Sequence, residues 1–366
     1  MNCPKCNQQN PDNAPLCSSC GYVLSWEPAE HTAARARLSK TLHLAVVSLV
    51  LGILSIPTWA ITAIPAIVLG IVSLVKIEKS GGRLTGKGYA AIGIAIPAIL
   101  CSLIGILALM AKVKSGYYRI VCESNLSGIG CGMLIYSNDY DDEYPRAGVP
   151  GTKWGPTNNW QADNRSDAYG LNTGGRGQAS ISASLYLSFK YYHYAGPPSF
   201  VCPADSGTTQ FLPSHYGVTN KNISDLWDFG PDPSKHCSYT YHMPYGQYLL
   251  TNSRSPAMPT MADRNPWIDT PARKPKDFTV FQPDGTAPQQ RAGNAIPHQE
   301  RGQNVLFLDA HVSFEKTPFG GINGDNIYTS WSGPDIKKGT PPTLKSLPAD
   351  PNDSLLLHDP PLKDKK

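Results

Sequence analysis

The chain has 366 residues, of which 41% are apolar and 16% are charged, and its formal net charge is +4. This length exceeds that of one usual domain and predicts two or three folded units. The small net charge excludes an extended basic surface for nucleic acid, because the Lys and Arg residues cluster beside apolar runs. Those uncharged runs lie almost entirely between residues 42 and 110, which predicts a membrane-embedded part and a polar remainder.

Residues 1–24 contain two CxxC pairs separated by ten residues, formed by Cys3, Cys6, Cys17 and Cys20. Two such turns present four thiolates tetrahedrally to Zn²⁺. A segment this short cannot bury a core, so metal binding should supply most of its folding free energy, on the order of 10 kcal/mol. Four sulfur ligands leave no open position for a substrate, which predicts a structural rather than a catalytic zinc ion.

This first segment resembles the short zinc-ribbon family. Two disulfides or a redox-active CxxC are the alternatives, and both require an oxidising compartment. A nucleic-acid-binding ribbon is disfavoured, because few basic or aromatic residues surround the four cysteines, so no nucleic acid partner is expected. Residues 25–40 are polar and Ala/Arg-rich, which predicts a linker.

Two uncharged runs, residues 42–75 and 88–111, have the character of membrane segments. A helix over the first run would be about 50 Å long, too long for one crossing of a ~30 Å hydrocarbon core. Pro57 and Pro65 interrupt it. We therefore predict two short helices joined by an uncharged turn, followed by a third helix.

Basic residues flank both runs: Arg35, Arg37 and Lys40 precede the first, and Lys76, Lys79, Arg83 and Lys87 follow it. Cytoplasmic loops carry the excess of Lys and Arg. Three crossings, or a re-entrant hairpin plus one crossing, place both basic flanks inside and the C-terminal part outside. We expect a multi-pass protein of the bacterial inner membrane with a cytoplasmic N-terminus and a periplasmic or extracytoplasmic C-terminal domain.

The motifs SLVLGIL and IVLGIVSL, with the loop GGRLTGKG, resemble an uncharacterised bacterial membrane-domain family that is often found behind zinc ribbons. The resemblance covers residues 41–113 and implies location in a lipid bilayer rather than an activity. No Asp, Glu, Lys or Arg lies inside the apolar runs, which argues against an ion pathway.

An amphipathic helix is predicted beyond the last crossing, because its apolar residues recur at intervals of four, three, four and three. These residues are Cys122, Leu126, Ile129, Met133 and Tyr136. The helix should end before Pro145. Further along, residues 304–308 and 311–315 predict a β-hairpin whose turn, Asp309 and Ala310, lacks the usual glycine, so Ala310 must adopt an unusual φ or the turn must widen.

Three stretches, CESNLSGIG with YSNDYDDEYP, FVCPAD, and His298–Gly302 with NVLFLD and HV, resemble bacterial prepilin-like proteins akin to type II secretion pseudopilins. The resemblance implies an α+β domain over residues 114–332, with a long helix on an antiparallel sheet, and it implies envelope or secretion-system partners. A ribbon and apolar runs stand where pseudopilins carry a cleaved leader, so we expect a tethered domain rather than a fibre subunit.

The remaining cysteines of the polar part are Cys122, Cys131, Cys202 and Cys237. Cys122 and Cys131 lie about 13 Å apart along a helix and on opposite faces, so they should not bridge each other. In an exported domain, pairing of either with Cys202 or Cys237 would stabilise the loops, and free buried thiols are the alternative.

No catalytic or cofactor-binding residue is predicted, and none of the motifs GxSxG, HExxH or Walker A occurs. Two weaker sites are kept as alternatives. His298, Asp309 and His311, with Asp263, could form a metal or acid–base site. The acidic residues Asp139, Asp141, Asp142 and Glu143 could bind Ca²⁺.

The sequence thus predicts a multi-domain, non-enzymatic envelope protein that links a cytoplasmic zinc module to an exported interaction domain. A membrane-anchored enzyme or receptor that uses the His298, Asp309 and His311 hairpin is the alternative. Residues 333–366 are rich in Pro, Lys and Asp, which predicts a disordered tail. Nothing in the sequence predicts an oligomeric state.

Overall fold

A computed structural model of the protein describes residues 1–12, 14–24, 40–56, 58, 61–172 and 174–362. The chain divides into two compact units, Met1–Ala111 and Lys112–Lys366. Nearly all of the predicted linker, together with Pro57 in the predicted turn, lies outside the described residues.

The first unit contains two helices and the start of a third. In chain order its elements are β1 (Lys40–Thr41), α1 (His43–Leu54), α2 (Ala63–Lys79), β2 (Leu84–Thr85) and α3 (Lys87–Asp139), which contributes residues to both units. The strands β1 and β2 form a two-residue parallel pair. The two short helices predicted from residues 42–75 correspond to α1 and α2.

Small residues let α1 and α3 approach each other closely. A Cβ atom at Gly52 would lie 2.9 Å from the Gly93 carbonyl oxygen, and one at Gly93 would collide with Ser48. Ser48 Oγ also donates a hydrogen bond of 2.8 Å to the Ala66 carbonyl of α2. These contacts require glycine at positions 52 and 93, because any side chain there would push the backbones apart.

The helices differ in whether they can span a bilayer. Among the helices of the described residues, α3 is the one that is long and apolar enough to do so, judged by length and composition. The helices α1 and α2 contain 12 and 17 residues, fewer than the ~20 that cross a ~30 Å hydrocarbon core. The prediction of three crossings, or of a re-entrant hairpin plus one, stays a prediction.

The second unit combines helices with three sheets among its described residues, one of five strands and two of two strands. Beyond α3 its elements are β3 (Lys153–Trp154), α4 (Arg165–Tyr169), β4 (Gln178–Ala179), α5 (Ile181–Tyr192), β5 (Tyr239–His242), β6 (Pro259–Asp263), α6 (Ala287–Arg291), β7 (Gln303–Phe307), β8 (Val312–Glu315), β9 (Ser330–Ser332), β10 (Asp335–Thr340) and β11 (Leu356–Leu357). Short 3₁₀ turns lie at Pro197–Phe200, Pro213–Tyr216, Ile223–Asp225, Pro233–Lys235, Phe278–Val280, Pro297–Glu300 and Ile322–Gly324.

A five-stranded antiparallel sheet, in the order β11-β5-β6-β7-β8, organises this unit. The predicted apolar face of α3 packs into the same hydrophobic core as the sheet residues Met261 and Leu306. All five predicted residues of that face are at most 2% exposed. The predictions of an amphipathic helix and of its buried face are therefore confirmed, and the helix ends at Asp139, before Pro145.

The predicted hairpin is present as β7 and β8, with a wider turn than two residues. Its strands end at Phe307 and begin again at Val312. Ala310 adopts a φ of 66°, in the left-handed region. The wider turn and the positive φ of Ala310 both follow from the missing glycine. The Cβ atom of alanine disfavours the left-handed conformation in a tight two-residue turn.

The prediction of a disordered tail is wrong for the described residues up to 362. The strand β10 pairs with β9, and β11 pairs with β5 in the central sheet. The cause is the apolar run Leu355–Leu357, whose side chains are fully buried. A short apolar strand is enough to order this segment, although its overall composition is polar.

Candidate metal centre

The first candidate site is built from two tight turns near the N-terminus. Isolated β-bridges join Asn2 to Gln9 and Leu16 to Val23, so each CxxC sits at the tip of a small hairpin. The backbone amides of Cys3 and Cys17 donate hydrogen bonds to the Gln8 and Tyr22 carbonyls, at 2.9 and 2.7 Å. These turns direct the side chains of both pairs toward a common centre.

The four sulfur atoms of Cys3, Cys6, Cys17 and Cys20 all lie within 4.8 Å of one another. Cys3 Sγ is 3.6 Å from Cys20 Sγ, and Cys6 Sγ is 3.4 Å from Cys17 Sγ. Thiolates around a tetrahedral Zn²⁺ lie about 3.8 Å apart, given Zn–S bonds of about 2.3 Å. The sulfur positions therefore fit a structural zinc ion.

The pKa values of two of these thiols are shifted in opposite directions. Burial acts to raise the pKa of Cys17, but hydrogen bonds from the Ser19 and Cys20 amides and from Asn10 lower it to about 6. A Gln8 backbone hydrogen bond lowers the pKa of Cys6, but its sulfur neighbours Cys20 and Cys17 raise it to about 12. Adjacent thiolates repel each other, and a bound dication removes that repulsion.

Two segments of the chain match known families. The zinc-ribbon domain matches residues 2–24, and a domain of unknown function (DUF4190) matches residues 44–111. No curated protein and no solved structure matches the chain. The ribbon match and the cysteine cluster support structural zinc, and the second match, with the apolar helix α3, is consistent with a membrane protein. The pseudopilin-like fold stays a prediction.

The predicted hairpin site does not come together as one cluster. His311 Nδ1 lies 2.5 Å from Asp309 Oδ1, and both side chains are about half exposed. His298 instead lies in the interior, where its Nε2 is 3.4 Å from Asp263 Oδ2. The described residues therefore do not bring His298, Asp309 and His311 into one metal-ligand group, whereas the suggested proximity of Asp263 and His298 is present. An enzyme or receptor role for this hairpin stays a prediction.

Three of the four acidic residues at and just after the end of α3 contact different neighbouring side chains. Asp139 accepts a hydrogen bond of 2.8 Å from Tyr192, and Asp142 accepts one of 3.2 Å from Asn252. Glu143 forms an ion pair of 2.5 Å with Arg146. A calcium site at these residues is not supported.

A disulfide joins Cys122 of α3 to Cys202, 80 residues further along. Cys131 and Cys237 are free thiols, the first partly exposed and the second buried. The expectation that Cys122 and Cys131 do not bridge each other is confirmed. The disulfide also lies beside His298, because Cys202 Sγ is 3.6 Å from His298 Nε2. No spacing in the sequence indicates that contact.

Proposed function

We propose that the protein is a non-enzymatic envelope protein of the inner membrane. In this proposal Cys3, Cys6, Cys17 and Cys20 hold zinc in a cytoplasmic module, and the second unit is a tethered, exported domain. That domain has a pseudopilin-like role in protein interaction or assembly, with envelope or secretion-system proteins as its partners.

The apolar part of α3 supports membrane anchoring. Between residues 88 and 111 the helix carries no charged side chain. Ile99, Leu103, Leu107 and Met110 are exposed, which in water would be a large apolar surface. A bilayer covers such a surface, and the basic residues that follow at Lys112 and beyond suit its headgroup region.

The distribution of basic residues supports a cytoplasmic N-terminus. Seven Lys or Arg residues flank the apolar runs, either just before α1 or around the loop that joins α2 to α3: Arg35, Arg37, Lys40, Lys76, Lys79, Arg83 and Lys87. Three follow the apolar part of α3: Lys112, Lys114 and Arg119. The excess of positive charge marks the cytoplasmic side.

The Cys122–Cys202 disulfide is the observation that carries the proposal of export. Both cysteines are fully buried, and they tie α3 to a distant loop. Disulfides persist in oxidising compartments, whereas cytoplasmic thiols are kept reduced. A disulfide in the unit that follows the apolar helix therefore favours its location outside the cytoplasm.

The proposal is tested by determining on which side of the membrane the α2 end and the second unit lie. Two exposed reporter positions, Glu78→Cys in α2 and Ser206→Cys in the second unit, are placed in a chain whose Cys101, Cys131 and Cys237 are alanine. Spheroplasts are then labelled with a membrane-impermeant maleimide, and permeabilised spheroplasts provide the control in which both reporters react.

Labelling of Ser206→Cys alone in closed spheroplasts is the expected result. Labelling of Glu78→Cys alone would place the second unit in the cytoplasm and contradict the proposal of export. Labelling of neither reporter would contradict it as well.

A further inference from the structure

A second group of possible metal ligands lies inside the second unit. Cys122, Cys202, Asp263 and His298 bring their ligand atoms within 4.8 Å of one another. All four residues are buried, with exposures between 0 and 5%. They come from α3, from the loop after Pro197–Phe200, from the end of β6 and from the Pro297–Glu300 turn, so only the folded unit brings them together.

The imidazole of His298 faces the other members of the group. Its Nε2 lies 3.6 Å from Cys202 Sγ and 3.4 Å from Asp263 Oδ2. Asn304 contacts both members of this pair, because its backbone amide donates a hydrogen bond of 2.7 Å to Asp263 Oδ2 and its Nδ2 lies 3.3 Å from His298 Nε2. Such an outer partner is what fixes a ligating carboxylate in place.

Two polar atoms of the group have no partner. Asp263 Oδ1 and His298 Nδ1 are buried without a hydrogen bond. Among the ion pairs of the described residues, Asp263 appears only with His298, since the adjacent Arg264 pairs with Asp205 at 2.8 Å. A buried carboxylate with a free oxygen is costly unless a cation compensates its charge.

The backbone that carries His298 is strained. His298, Gln299 and Glu300 have φ values of 60°, 60° and 58°, three consecutive non-glycine residues in the left-handed region. Non-glycine residues adopt this conformation at an energetic cost. Strain of this kind persists where surrounding contacts impose it, and here it turns the imidazole into the interior.

We propose that Cys122, Cys202, Asp263 and His298 form a second zinc site when the Cys122–Cys202 disulfide is reduced. The disulfide and the zinc site are alternative states of one cluster. Two thiolates, one carboxylate oxygen and one imidazole nitrogen match the ligand types and the number of a closed, structural zinc site.

The exchange between the two states balances. A dithiol reductant supplies two electrons and two protons, which break the S–S bond and give two thiols, and the reductant becomes a disulfide. Zn²⁺ then displaces both thiol protons and binds both sulfurs. In the reverse step a disulfide oxidant accepts two electrons and two protons and becomes a dithiol, the Cys122–Cys202 S–S bond forms again, and the ion is released.

The test compares zinc content in the two redox states. The full chain in detergent is prepared oxidised, or reduced anaerobically with a phosphine, then equilibrated with Zn²⁺ and freed of loosely bound metal. We expect the reduced chain to retain one more zinc ion than the oxidised chain, beyond any ion held by the ribbon. His298→Asn and Asp263→Asn should each abolish the increment, and Cys237→Ser, which changes a buried thiol outside the group, should keep it.

A second measurement follows the two cysteines directly, in case reduction or a substitution destabilises the second unit. Iodoacetamide alkylation of Cys122 and Cys202 in the reduced chain is followed by mass spectrometry, with and without Zn²⁺. Zinc should slow the reaction in the natural chain and the Cys237→Ser variant but not in His298→Asn. Equal zinc content in both redox states, an increment that survives His298→Asn, or alkylation unaffected by zinc would each overturn the proposal. The increment does not depend on sidedness or on the ribbon ion.

Discussion

The two cysteine clusters of this chain are assembled in opposite ways. In the ribbon, the cysteines that approach each other are at most 17 residues apart and are joined by local turns. In the second unit, Cys122 and Cys202 are 80 residues apart, and His298 follows Cys202 by 96 residues. The first cluster needs only its own loops and an ion, whereas the second needs a complete tertiary fold.

The two parts of the chain are therefore stabilised by different interactions. A ribbon of this size depends on its metal for most of its folding free energy. The second unit has a large apolar core, and its cluster adds a covalent link to a structure that also has a sheet. Substitution of a ribbon cysteine should therefore unfold the ribbon entirely and leave the rest of the chain folded. Substitutions in the second unit should lower the free energy of unfolding of that whole unit by a limited amount.

The largest effect is expected from loss of a ribbon cysteine. Cys17→Ser removes one zinc ligand, and with it on the order of 10 kcal/mol of metal-binding free energy. Hydrogen exchange of the full chain should show residues 1–24 unprotected, including the backbone amides at positions 3 and 17, with the second unit unchanged. The exposed Ser19→Ala is the control. Retained protection in the variant would contradict the dependence on metal.

Removal of the disulfide should have the next largest effect. Replacing Cys122 and Cys202 by alanine releases a loop closed over 80 residues, which lowers the free energy of unfolding by about 4 kcal/mol. The guanidinium midpoint of the second unit measures this loss, and Cys131→Ala, a free thiol, is the matched control. A phosphine should lower the midpoint of the natural chain but not of the double variant.

The buried carboxyl of Asp228 should make the second unit sensitive to pH. Burial and the neighbouring Asp359 raise the pKa of Asp228 from 3.8 to about 7, although hydrogen bonds from Ser180 and Thr157 oppose the shift. The folded state keeps a proton that the unfolded chain loses, so stability falls as pH rises from 3.8 to about 7, by up to about 1.4 kcal/mol per pH unit.

Asp228→Asn mimics the protonated carboxyl and should flatten this dependence. Thermal unfolding between pH 4 and pH 8, followed by near-ultraviolet circular dichroism, measures the effect. Asp284→Asn, which changes a largely exposed carboxylate, should leave the slope as it is. An unchanged slope in Asp228→Asn would contradict the raised pKa.

The smallest effect distinguishes the two histidines near the hairpin. His311→Ala removes a half-exposed pair with Asp309 and should change the free energy of unfolding by less than about 1 kcal/mol. His298→Ala leaves the buried Asp263 without its partner and should cost on the order of 3 kcal/mol. Equal denaturation midpoints of the two variants would show that the buried His298–Asp263 pair contributes no more to the free energy of unfolding than the exposed His311–Asp309 pair.

The sequence predicted best where structure depends on local spacing. The CxxC pairs indicated the ribbon, and the periodicity of Leu126, Ile129 and Met133 indicated the buried face of α3, because both patterns lie within one element. The length of the uncharged run and its two prolines likewise predicted the break between α1 and α2. The turn at Ala310 was predicted to be unusual because glycine is absent from it.

The sequence predicted least where distant segments meet. The choice of Cys202 rather than Cys237 as the partner of Cys122 depends on how the loop after α5 lies against α3. The separation of His298 from His311 depends on a left-handed turn of non-glycine residues, which has no sequence signature. The tail was mistaken for a disordered segment because three leucines were outweighed by their polar surroundings.

The position of β11 has a consequence for the newly synthesised chain. This strand pairs with β5, yet it follows β6, β7 and β8 in the sequence. Until Leu356 and Leu357 have been made, β5 presents an open edge, and open edges recruit strands from other chains. A nascent chain is thus prone to aggregate while the segment between β5 and β11 is being translated, and a chaperone that shields Tyr239–His242 would protect it during that interval.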